Sequence, residues 1–281
     1  MHEVEEVEVE ASVSLRRRLA AVAGLCAAAL LVTACGGSTG ATVQGAKLVK
    51  KNQITTCTHL PYPPFQSTQG GKIVGFDVDM IDLVAKKLGV TQKIVDTSFE
   101  TIKGGAALNA GKCDVAAAGM TIKAERAKFL DFSKPYFNAT QALMAAKDTG
   151  ITSLDDVQAK KLKIGSQGST TGEDYVRGKG LDPQSFDNSA AELDGLRTGQ
   201  VEVIVQDYPV VQGWLKDPAN TKFALVANLN TGEQYGFAVK KGGNAKLLQM
   251  INQAITQAEQ DGTYQKIYEK WIGPCQNCLP S

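Results

Sequence analysis

The chain has 281 residues, of which 43% are hydrophobic and 21% are charged, and this composition is typical of a globular protein with room for two domains of about a hundred residues each. Its 30 basic and 29 acidic residues nearly cancel, which argues against a nucleic-acid partner or a polybasic membrane surface. Small molecules are therefore the expected partners.

The N-terminal segment resembles an export signal preceded by an acidic extension. Residues 1–10 contain five Glu, whereas Arg16, Arg17 and Arg18 precede an apolar run of 14 residues. That run has the length of a signal peptide and is shorter than the roughly 20 residues that span a bilayer. We expect residues 1–34 to be removed, with the acidic prefix lying upstream of the true start, which leaves a mature chain with a net charge of about +3.

The next residues indicate a lipid anchor. Val-Thr-Ala-Cys-Gly, which contains Cys35, resembles the cleavage site of a lipoprotein signal, and a stretch rich in Gly, Ser and Thr follows it. The alternative is a chance cysteine after small residues. We expect residues 35–46 to be a lipidated flexible tether, and the protein to be exported and anchored by lipid to the outer face of the cytoplasmic membrane.

From residue 54 the chain alternates between predicted strands and helices. In order, these elements cover residues 54–58, 77–88, 93–95, 101–110 and 113–118. Strands that alternate with helices in this way form a mainly parallel sheet covered on both faces. Ligands bind such sheets at the carboxyl ends of the strands, which here lie near His59, Phe99 and Thr121.

The stretch from Ala118 to Arg126 has a composition suited to binding an anion. Gly119 allows the backbone to approach a ligand closely, Thr121 offers a hydroxyl, and the backbone N–H groups of a helical turn follow. The guanidinium of Arg126 can hold a carboxylate through two parallel hydrogen bonds. The alternative is a solvated arginine on an ordinary surface helix.

A second block with the same alternation begins after residue 140. Its predicted elements cover, in order, residues 141–146, a helix capped by Ser153, and residues 162–166, 173–177, 190–198 and 201–205. Gln167, Thr170 and Thr171 lie in a loop before one of these helices, and sequence alone favours a capping role for that loop. Asp207 follows the last strand, and one role open to it is to cap the next helix.

The C-terminal part returns to helical patterns. An amphipathic helix is predicted over 244–261. Tyr264, Ile267, Tyr268 and Trp271 then repeat the helical spacing i, i+3, i+4, i+7. We interpret these four side chains as core packing rather than as a binding site.

Several short motifs occur together in this chain. They are Tyr62-Pro63-Pro64-Phe65, Gly75-Phe76-Asp77-Val78-Asp79-Met80, Leu108-Asn109-Ala110-Gly111-Lys112-Cys113-Asp114, G-M-T-I-x-x-E-R…D-F-S-x-P-Y-F over 119–137, and Gly262-Thr263-Tyr264 with Trp271-Ile272-Gly273. In combination they resemble family 3 of the extracellular solute-binding proteins, the amino-acid receptors of ABC importers. The resemblance covers roughly residues 47–273.

The resemblance implies a two-lobed α/β fold of the type II periplasmic-binding-protein kind, with a mainly parallel sheet flanked by helices in each lobe. Lobe 1 would comprise residues 47–136 and 236–281, and lobe 2 residues 140–232. The chain would cross between the lobes twice, near 136–140 and 231–236, and two crossings form a hinge.

The resemblance also implies that a free amino acid binds between the lobes and is delivered to the transmembrane subunits of an ABC importer. Arg126, with the region of Gly119 and Thr121, would bind the carboxylate, and Asp207 would bind the ammonium group. The full set of expected ligand-binding residues is His59, Tyr62, Phe99, Ala118, Gly119, Thr121, Arg126, Gln167, Thr170, Thr171 and Asp207.

Two of these residues bear on the choice of ligand. His59 stands where relatives commonly carry an acidic residue, and Gln167 stands where some carry Lys. Both would lie toward the side-chain end of the ligand, and together they favour a polar or acidic amino acid over a basic one. Tyr62 and Phe99 would form apolar walls.

Other classes of function are less well supported. An enzyme similar to the cyclohexadienyl dehydratases is the main alternative, with His59 as its general acid. A receptor ectodomain is disfavoured because no transmembrane helix follows before Ser281. No cofactor and no metal are expected, because the cysteines lack zinc-finger spacing. The expected form is a monomer.

The cysteines of an exported chain can form disulfides. We expect Cys275 and Cys278 to close a small C-terminal loop. Cys57 and Cys113 lie on strands predicted to be neighbours, but Cys113 is expected several residues deeper than Cys57, so the sequence leaves that bridge open.

Overall fold

Two five-stranded sheets organise the computed structural model, which describes residues 40–280. The predicted signal segment and the lipidation site at Cys35 lie outside the described residues. Within residues 40–280, no helix has both the length and the apolar character needed to cross a bilayer.

The first lobe is built on one of these sheets. Numbered in chain order, its strands are β3 (Gln53–Thr58), β6 (Thr91–Asp96), β7 (Val115–Ala116), β8 (Leu130–Phe132) and β14 (Ala238–Lys240), arranged as β6-β3-β7-β14-β8. The helices are α1 (Phe76–Leu88), α2 (Phe99–Lys103), α3 (Ala106–Asn109), α4 (Ala124–Ala127), α9 (Ala245–Gln260) and α10 (Thr263–Trp271). Two hairpins complete the lobe, β1 (Ala41–Val43) with β2 (Ala46–Leu48) and β4 (Ser67–Gln69) with β5 (Lys72–Val74).

The second lobe is built on the other sheet. Its strands are β9 (Phe137–Ala146), β10 (Ile164–Gln167), β11 (Gln184–Phe186), β12 (Val203–Asp207) and β13 (Phe223–Tyr235), arranged as β11-β10-β12-β9-β13. The helices are α5 (Leu154–Ala159), α6 (Thr171–Gly178), α7 (Ser189–Arg197) and α8 (Tyr208–Leu215), with a short 3-10 turn at Pro218–Asn220.

Each sheet is mainly parallel, as predicted, with one strand reversed. In the first sheet β14 runs antiparallel to β7 and β8. In the second sheet β9 runs antiparallel to β12 and β13. The reversed strand is in each case the one that follows a crossing from the other lobe, so the two crossings account for the mixed direction.

The two crossing segments run side by side. The start of β9 pairs with the end of β13, with Phe137 opposite Tyr235. The register of β13 then shifts between Leu229 and Glu233, opposite Thr140. The Thr140 hydroxyl donates a hydrogen bond of 2.5 Å to the Leu229 carbonyl oxygen at this irregularity. The hinge is therefore a two-stranded ribbon with a local bulge.

One helix prediction needs correction. The segment predicted as a single helix over 101–110 forms two short helices, α2 and α3, separated by Gly104 and Gly105. Gly105 has a φ of 77°, in the left-handed region that a glycine adopts without a steric penalty. A Cβ at this position would come within 3.0 Å of the Phe129 carbonyl oxygen, so glycine is the residue that fits at this turn between the two helices.

The C-terminal helices pack as predicted. Tyr264 and Ile267 are buried, and Tyr268 and Trp271 pack against the same core while remaining partly exposed. These contacts confirm that the four side chains serve packing. The Tyr264 hydroxyl also donates a hydrogen bond to the Tyr136 carbonyl oxygen at 2.8 Å, just before the first crossing.

Both candidate disulfides are present. Cys275 and Cys278 close the C-terminal loop with Cα atoms 5.2 Å apart. Cys57 and Cys113 are also bonded, with Cα atoms 5.6 Å apart. The predicted offset is present, because Cys57 pairs with Ala116, three residues beyond Cys113, but it does not prevent the bridge.

Candidate functional site

A small cavity lies between the two lobes, near the carboxyl ends of strands from both sheets. The residues that line it are His59, Tyr62, Gln66, Phe99, Ala118, Gly119, Thr121, Arg126, Gln167, Thr170, Thr171 and Asp207. All eleven residues predicted from the sequence are among them, so the structure brings together positions from five separate segments. Gln66 is the one addition.

Gln66 was missed because no periodic pattern marks it. It directly follows the Tyr62 motif, where the chain turns back on itself. The Tyr62 N–H donates to the Gln66 carbonyl oxygen at 2.7 Å, and the Gln66 N–H donates to the Tyr62 carbonyl oxygen at 3.0 Å. Its only signal in the sequence is this position beside the motif.

Arg126 is buried, with 7% of its surface exposed. Its Nη1 donates to the Thr121 carbonyl oxygen at 3.0 Å, and its guanidinium carbon lies 5.3 Å from the centre of the Phe99 ring. Burial lowers the pKa of Arg126, while the negative charges of Asp174 and Asp207 oppose that change. Among residues 40–280, no carboxylate lies within ion-pair distance of this guanidinium, so it is available for an anion.

Gly119 has a different role from the one expected. Its N–H donates to Asp77 Oδ2 at 2.9 Å and is therefore not directed at the cavity. The glycine is required because its φ is 55° and because a Cβ would lie 2.8 Å from the Tyr62 ring. Asp77 also accepts a hydrogen bond of 2.7 Å from the Tyr136 hydroxyl, and burial raises the pKa of Asp77 to about 7.

Asp207 does not act as a helix cap through its side chain. It occupies the position before α8, but its carboxylate makes no capping hydrogen bond. Instead the carboxylate accepts hydrogen bonds from the hydroxyls of Tyr62 and Tyr235 and from the Gln141 amide. Burial raises the pKa of Asp207 to about 6, and the negative charge of Glu233 adds to the increase.

Tyr62 is more than an apolar wall. Besides its bond to Asp207, its hydroxyl lies 2.9 Å from Gln206 Oε1. Gln206 in turn donates from Nε2 to the buried Glu192 carboxylate at 2.7 Å, and burial raises the pKa of Glu192 well above its ordinary value. Glu192 and Tyr235 were not predicted as part of the site, because only the fold brings them behind Asp207.

His59 bridges the lobes through both ring nitrogens. Nδ1 lies 3.1 Å from the Thr97 carbonyl oxygen of the first lobe, and Nε2 lies 3.0 Å from the Asp187 carbonyl oxygen of the second. Asp96 is 3.9 Å from Nδ1. Because both nitrogens already face backbone carbonyls, His59 is poorly placed to pass a proton to a ligand, which argues against the role of general acid.

The loop before α6 combines a capping role with a place in the cavity. Thr170 caps α6, accepting from the Glu173 N–H at 3.2 Å, and its hydroxyl donates to the Gln167 carbonyl oxygen at 2.7 Å. The Thr171 hydroxyl lies 3.4 Å from the Thr121 hydroxyl of the first lobe. Thr170 therefore caps the helix, as the sequence favoured. Gln167, Thr170 and Thr171 also line the cavity.

Further contacts join the lobes around the cavity. The Ser189 hydroxyl donates to the Pro61 carbonyl oxygen at 2.7 Å, the Lys123 ammonium lies 3.1 Å from an Asp174 oxygen, and the Ser169 hydroxyl donates to Glu100. These bonds lie around the cavity and hold the lobes together in a closed arrangement. Among residues 40–280, no cluster of His, Cys, Asp and Glu is suited to holding a metal ion.

Comparison with known proteins gives a consistent result. The model of the bacterial extracellular solute-binding proteins, family 3, matches residues 54–274. The L-cystine-binding protein TcyJ of Escherichia coli K12 is 34% identical over 218 residues, which are 75% of this chain and 79% of that protein.

Solved structures show the same likeness. An ancestral arginine-binding protein bound to glutamine is 40% identical, with a TM-score of 0.73 over 80% of this chain and 99% of that one. The ancestral amino acid-binding protein AncCDT-1, a precursor of cyclohexadienyl dehydratase, is 34% identical, with a TM-score of 0.72 over 79% of this chain and 96% of that one. That neighbour is itself named as a binding protein.

Proposed function

This chain belongs to family 3 of the bacterial extracellular solute-binding proteins, and we propose that it captures a free amino acid by closing its two lobes around it. It is an amino-acid-binding protein of the ABC-transporter type and not an enzyme. The observation that carries the proposal is that Arg126 and Asp207, from opposite lobes, line one cavity.

The two charges suit the two ends of a zwitterion. Arg126 binds the α-carboxylate through charge-assisted hydrogen bonds, with the hydroxyls of Thr121 and Thr171 nearby. Asp207 binds the α-ammonium group, for which its carboxylate already faces the cavity. Because water leaves the cavity as the lobes close, both charge pairs strengthen on closure and couple ligand binding to the hinge.

The remaining lining residues surround the ligand's side chain and backbone in this proposal. Phe99 packs beside Arg126 and forms an apolar wall, and Ala118, Gly119 and Thr170 shape the rest. The side chain is polar or acidic rather than basic, because Asp207 is the only lining carboxylate and the ammonium group occupies it.

The wider organisation follows from the same function. Lobe 1 comprises residues 47–136 and 236–281, and lobe 2 residues 140–232. The predicted tether 35–46 needs correction at its end, because residues 41–46 belong to the hairpin of β1 and β2 that completes lobe 1. Residues 1–34 are a signal with its acidic extension, and lipid on Cys35 with the remaining tether anchors the monomer to the outer face of the cytoplasmic membrane. The loaded protein then delivers its ligand to the transmembrane subunits of an importer.

A thermal-shift screen of the twenty amino acids and cystine tests the proposal. A ligand present at a thousand times its dissociation constant adds about 4 kcal/mol to the free energy of unfolding. At least one free amino acid should raise the melting temperature clearly, and titration calorimetry should then give one site per chain. The absence of binding by every amino acid in both assays would reject the proposed function.

A further inference from the structure

Two buried glutamines that line the cavity each have an amide oxygen without a hydrogen-bond partner. Gln66 and Gln167 are 1% and 3% exposed, and the Oε1 atom of each is unsatisfied. Six side-chain polar atoms within residues 40–280 share this condition, but only these two belong to residues that line the cavity. A buried acceptor without a donor is unfavourable, so such atoms in residues that line a ligand cavity indicate a donor on the ligand.

The orientation of the Gln66 amide has a structural reason. Its Nε2 donates to the His59 carbonyl oxygen at 3.4 Å, and this contact turns Oε1 away from that carbonyl. Reversing the amide would bring two acceptor oxygens together at that contact. Gln66 therefore presents an acceptor, and not a donor, as its free atom.

The charges of the lining residues limit the ligand further. Arg126 and Asp207 are the fixed charges of the lining, and the carboxylate and ammonium of the ligand neutralise them. Two other lining side chains can ionise: the Tyr62 hydroxyl donates to Asp207, and both ring nitrogens of His59 are directed at carbonyl oxygens. A charged side chain on the ligand would thus be buried without a counter-charge, which is strongly unfavourable.

We propose that the ligand's side chain ends in a primary carboxamide, as in glutamine and asparagine, whose N–H groups donate to Gln66 Oε1 and Gln167 Oε1. This inference rests on the proposed function. It limits the ligand to amino acids with an uncharged side chain that carries N–H donors. A carboxylate side chain lacks the N–H groups that these oxygens need. A guanidinium has them but brings a charge that the lining does not match.

Titration calorimetry with glutamine, asparagine, glutamate, arginine and methionine tests the inference. The parent protein should bind glutamine or asparagine at least about tenfold more tightly than glutamate, arginine and methionine, because a site built to pair a polar group discriminates against a ligand that lacks it. Tightest binding of glutamate or arginine would overturn the carboxamide assignment while leaving the proposed function intact. Absence of binding to all five ligands would also overturn the assignment, whereas the proposed function fails only if no amino acid binds.

Substitutions then locate the contact. Gln66→Met and Gln167→Met should each lower the affinity for the carboxamide ligand roughly 5- to 100-fold. The affinity for methionine, which has no side-chain donor, should fall less than the affinity for the carboxamide ligand, and thermal unfolding of each variant shows whether it folds. Gln253→Met, at an exposed position on α9, is the matched control and should change neither affinity. Equal losses of affinity for both ligands would show that the two glutamines do not contact the polar end of the ligand's side chain.

A charge substitution gives an independent test. Gln167→Glu keeps the length and the acceptor oxygen but adds a negative charge to the cavity. Arginine should gain affinity relative to glutamine in this variant, by roughly tenfold or more, because the guanidinium then has a counter-charge. An unchanged ratio of the two affinities would place Gln167 away from the ligand's side chain and overturn its assigned contact.

Discussion

The Tyr62 hydroxyl, in the first lobe, donates a hydrogen bond to the Asp207 carboxylate, in the second lobe. The Tyr235 hydroxyl, at the end of the hinge strand β13, donates to the same oxygen. Asp207 is thus connected to both the opposite lobe and the hinge by neutral donors. They solvate its carboxylate but leave its charge unbalanced, which suits a group that receives a cation when ligand binds.

Replacing Arg126 with alanine should abolish amino-acid binding and leave the fold intact. The substitution removes the buried cation and leaves the ligand's carboxylate desolvated without its counter-charge. The expected loss is at least about 2–5 kcal/mol, or two to three decades in affinity. Titration calorimetry measures it.

Arg177→Ala provides the matched control for this experiment. Arg177 lies on α6 with its side chain 48% exposed, and within residues 40–280 its ion pairs are with Glu173 and Asp182. Its removal should leave the affinity unchanged, since exposed pairs contribute little. An affinity of the Arg126→Ala protein within threefold of the parent would remove Arg126 from the site.

The stability of the ligand-free protein should depend on pH through Asp77. Its pKa is about 7 in the folded protein against 3.8 for the ordinary side chain, because the carboxyl is buried. A carboxyl whose pKa is raised by folding stabilises the fold while it is protonated. Its contribution is complete below pH 3.8 and is lost as the pH rises toward and through 7.

Asp77→Asn should remove this part of the pH dependence. The amide oxygen can still accept from the Gly119 N–H, but it does not ionise. Urea unfolding between pH 4.5 and 8 should show the variant gaining stability relative to the parent as the pH rises. Asp182→Asn, at an exposed site, serves as the control. A difference between Asp77→Asn and the parent that stays constant with pH would contradict the assignment.

Local patterns were sufficient to predict most elements of the fold. The helical spacing of Ile81, Val84 and Leu88 predicted a helix over 77–88, and the structure has it at Phe76–Leu88. The boundaries follow from residues that act locally, such as Gly89, which ends this helix in a left-handed conformation. The same reasoning failed over 101–110, where Gly104 and Gly105 divide the segment into two short helices and Gly105 packs closely against Phe129, which is distant in sequence.

The site could be predicted only in part from sequence. Local signals identified Thr121 and Arg126. For Asp207, the sequence around it suggested only a helix cap, and the resemblance to the family supplied its proposed role in binding the ammonium group. The hydroxyl contact of Tyr62 and the bridge from His59 to Asp187 join residues more than a hundred positions apart. Contacts of that kind depend on how the lobes close, so the spacing of residues within one helix or strand cannot predict them.

The lipid anchor is testable without structural data on that segment. Cys35 lies outside the described residues, and the prediction depends on the arginines and the apolar run before it. In a single-membrane bacterium, Cys35→Ala should release the protein into the medium, because a protein without acyl chains has no stable attachment. Fractionation and immunoblotting measure the partition. A variant that is still cleaved and still membrane-bound would refute the anchor.

Amino-acid affinity should fall in mildly acidic solution because of Asp207. Its pKa is about 6 in the ligand-free protein. The α-ammonium group pairs with the ionised carboxylate, so below pH 6 binding requires that the carboxyl lose its proton. Affinity should then decrease by up to about tenfold for each pH unit. Calorimetry from pH 8 to 5 measures the curve, and Asp207→Asn should bind weakly at every pH without this trend.

The hydroxy acid that matches the bound amino acid should show the opposite preference. At pH 7.5 it lacks the cation that balances Asp207, so the closed cavity would hold an unpaired negative charge, at an expected loss of roughly 2–5 kcal/mol relative to the amino acid. As the pH falls through 6, Asp207 becomes neutral and this penalty disappears. The hydroxy acid's affinity should therefore rise while that of the amino acid falls, and the ratio of the two affinities should narrow. Parallel curves for the two ligands would show that the charge of Asp207 does not select the ammonium group.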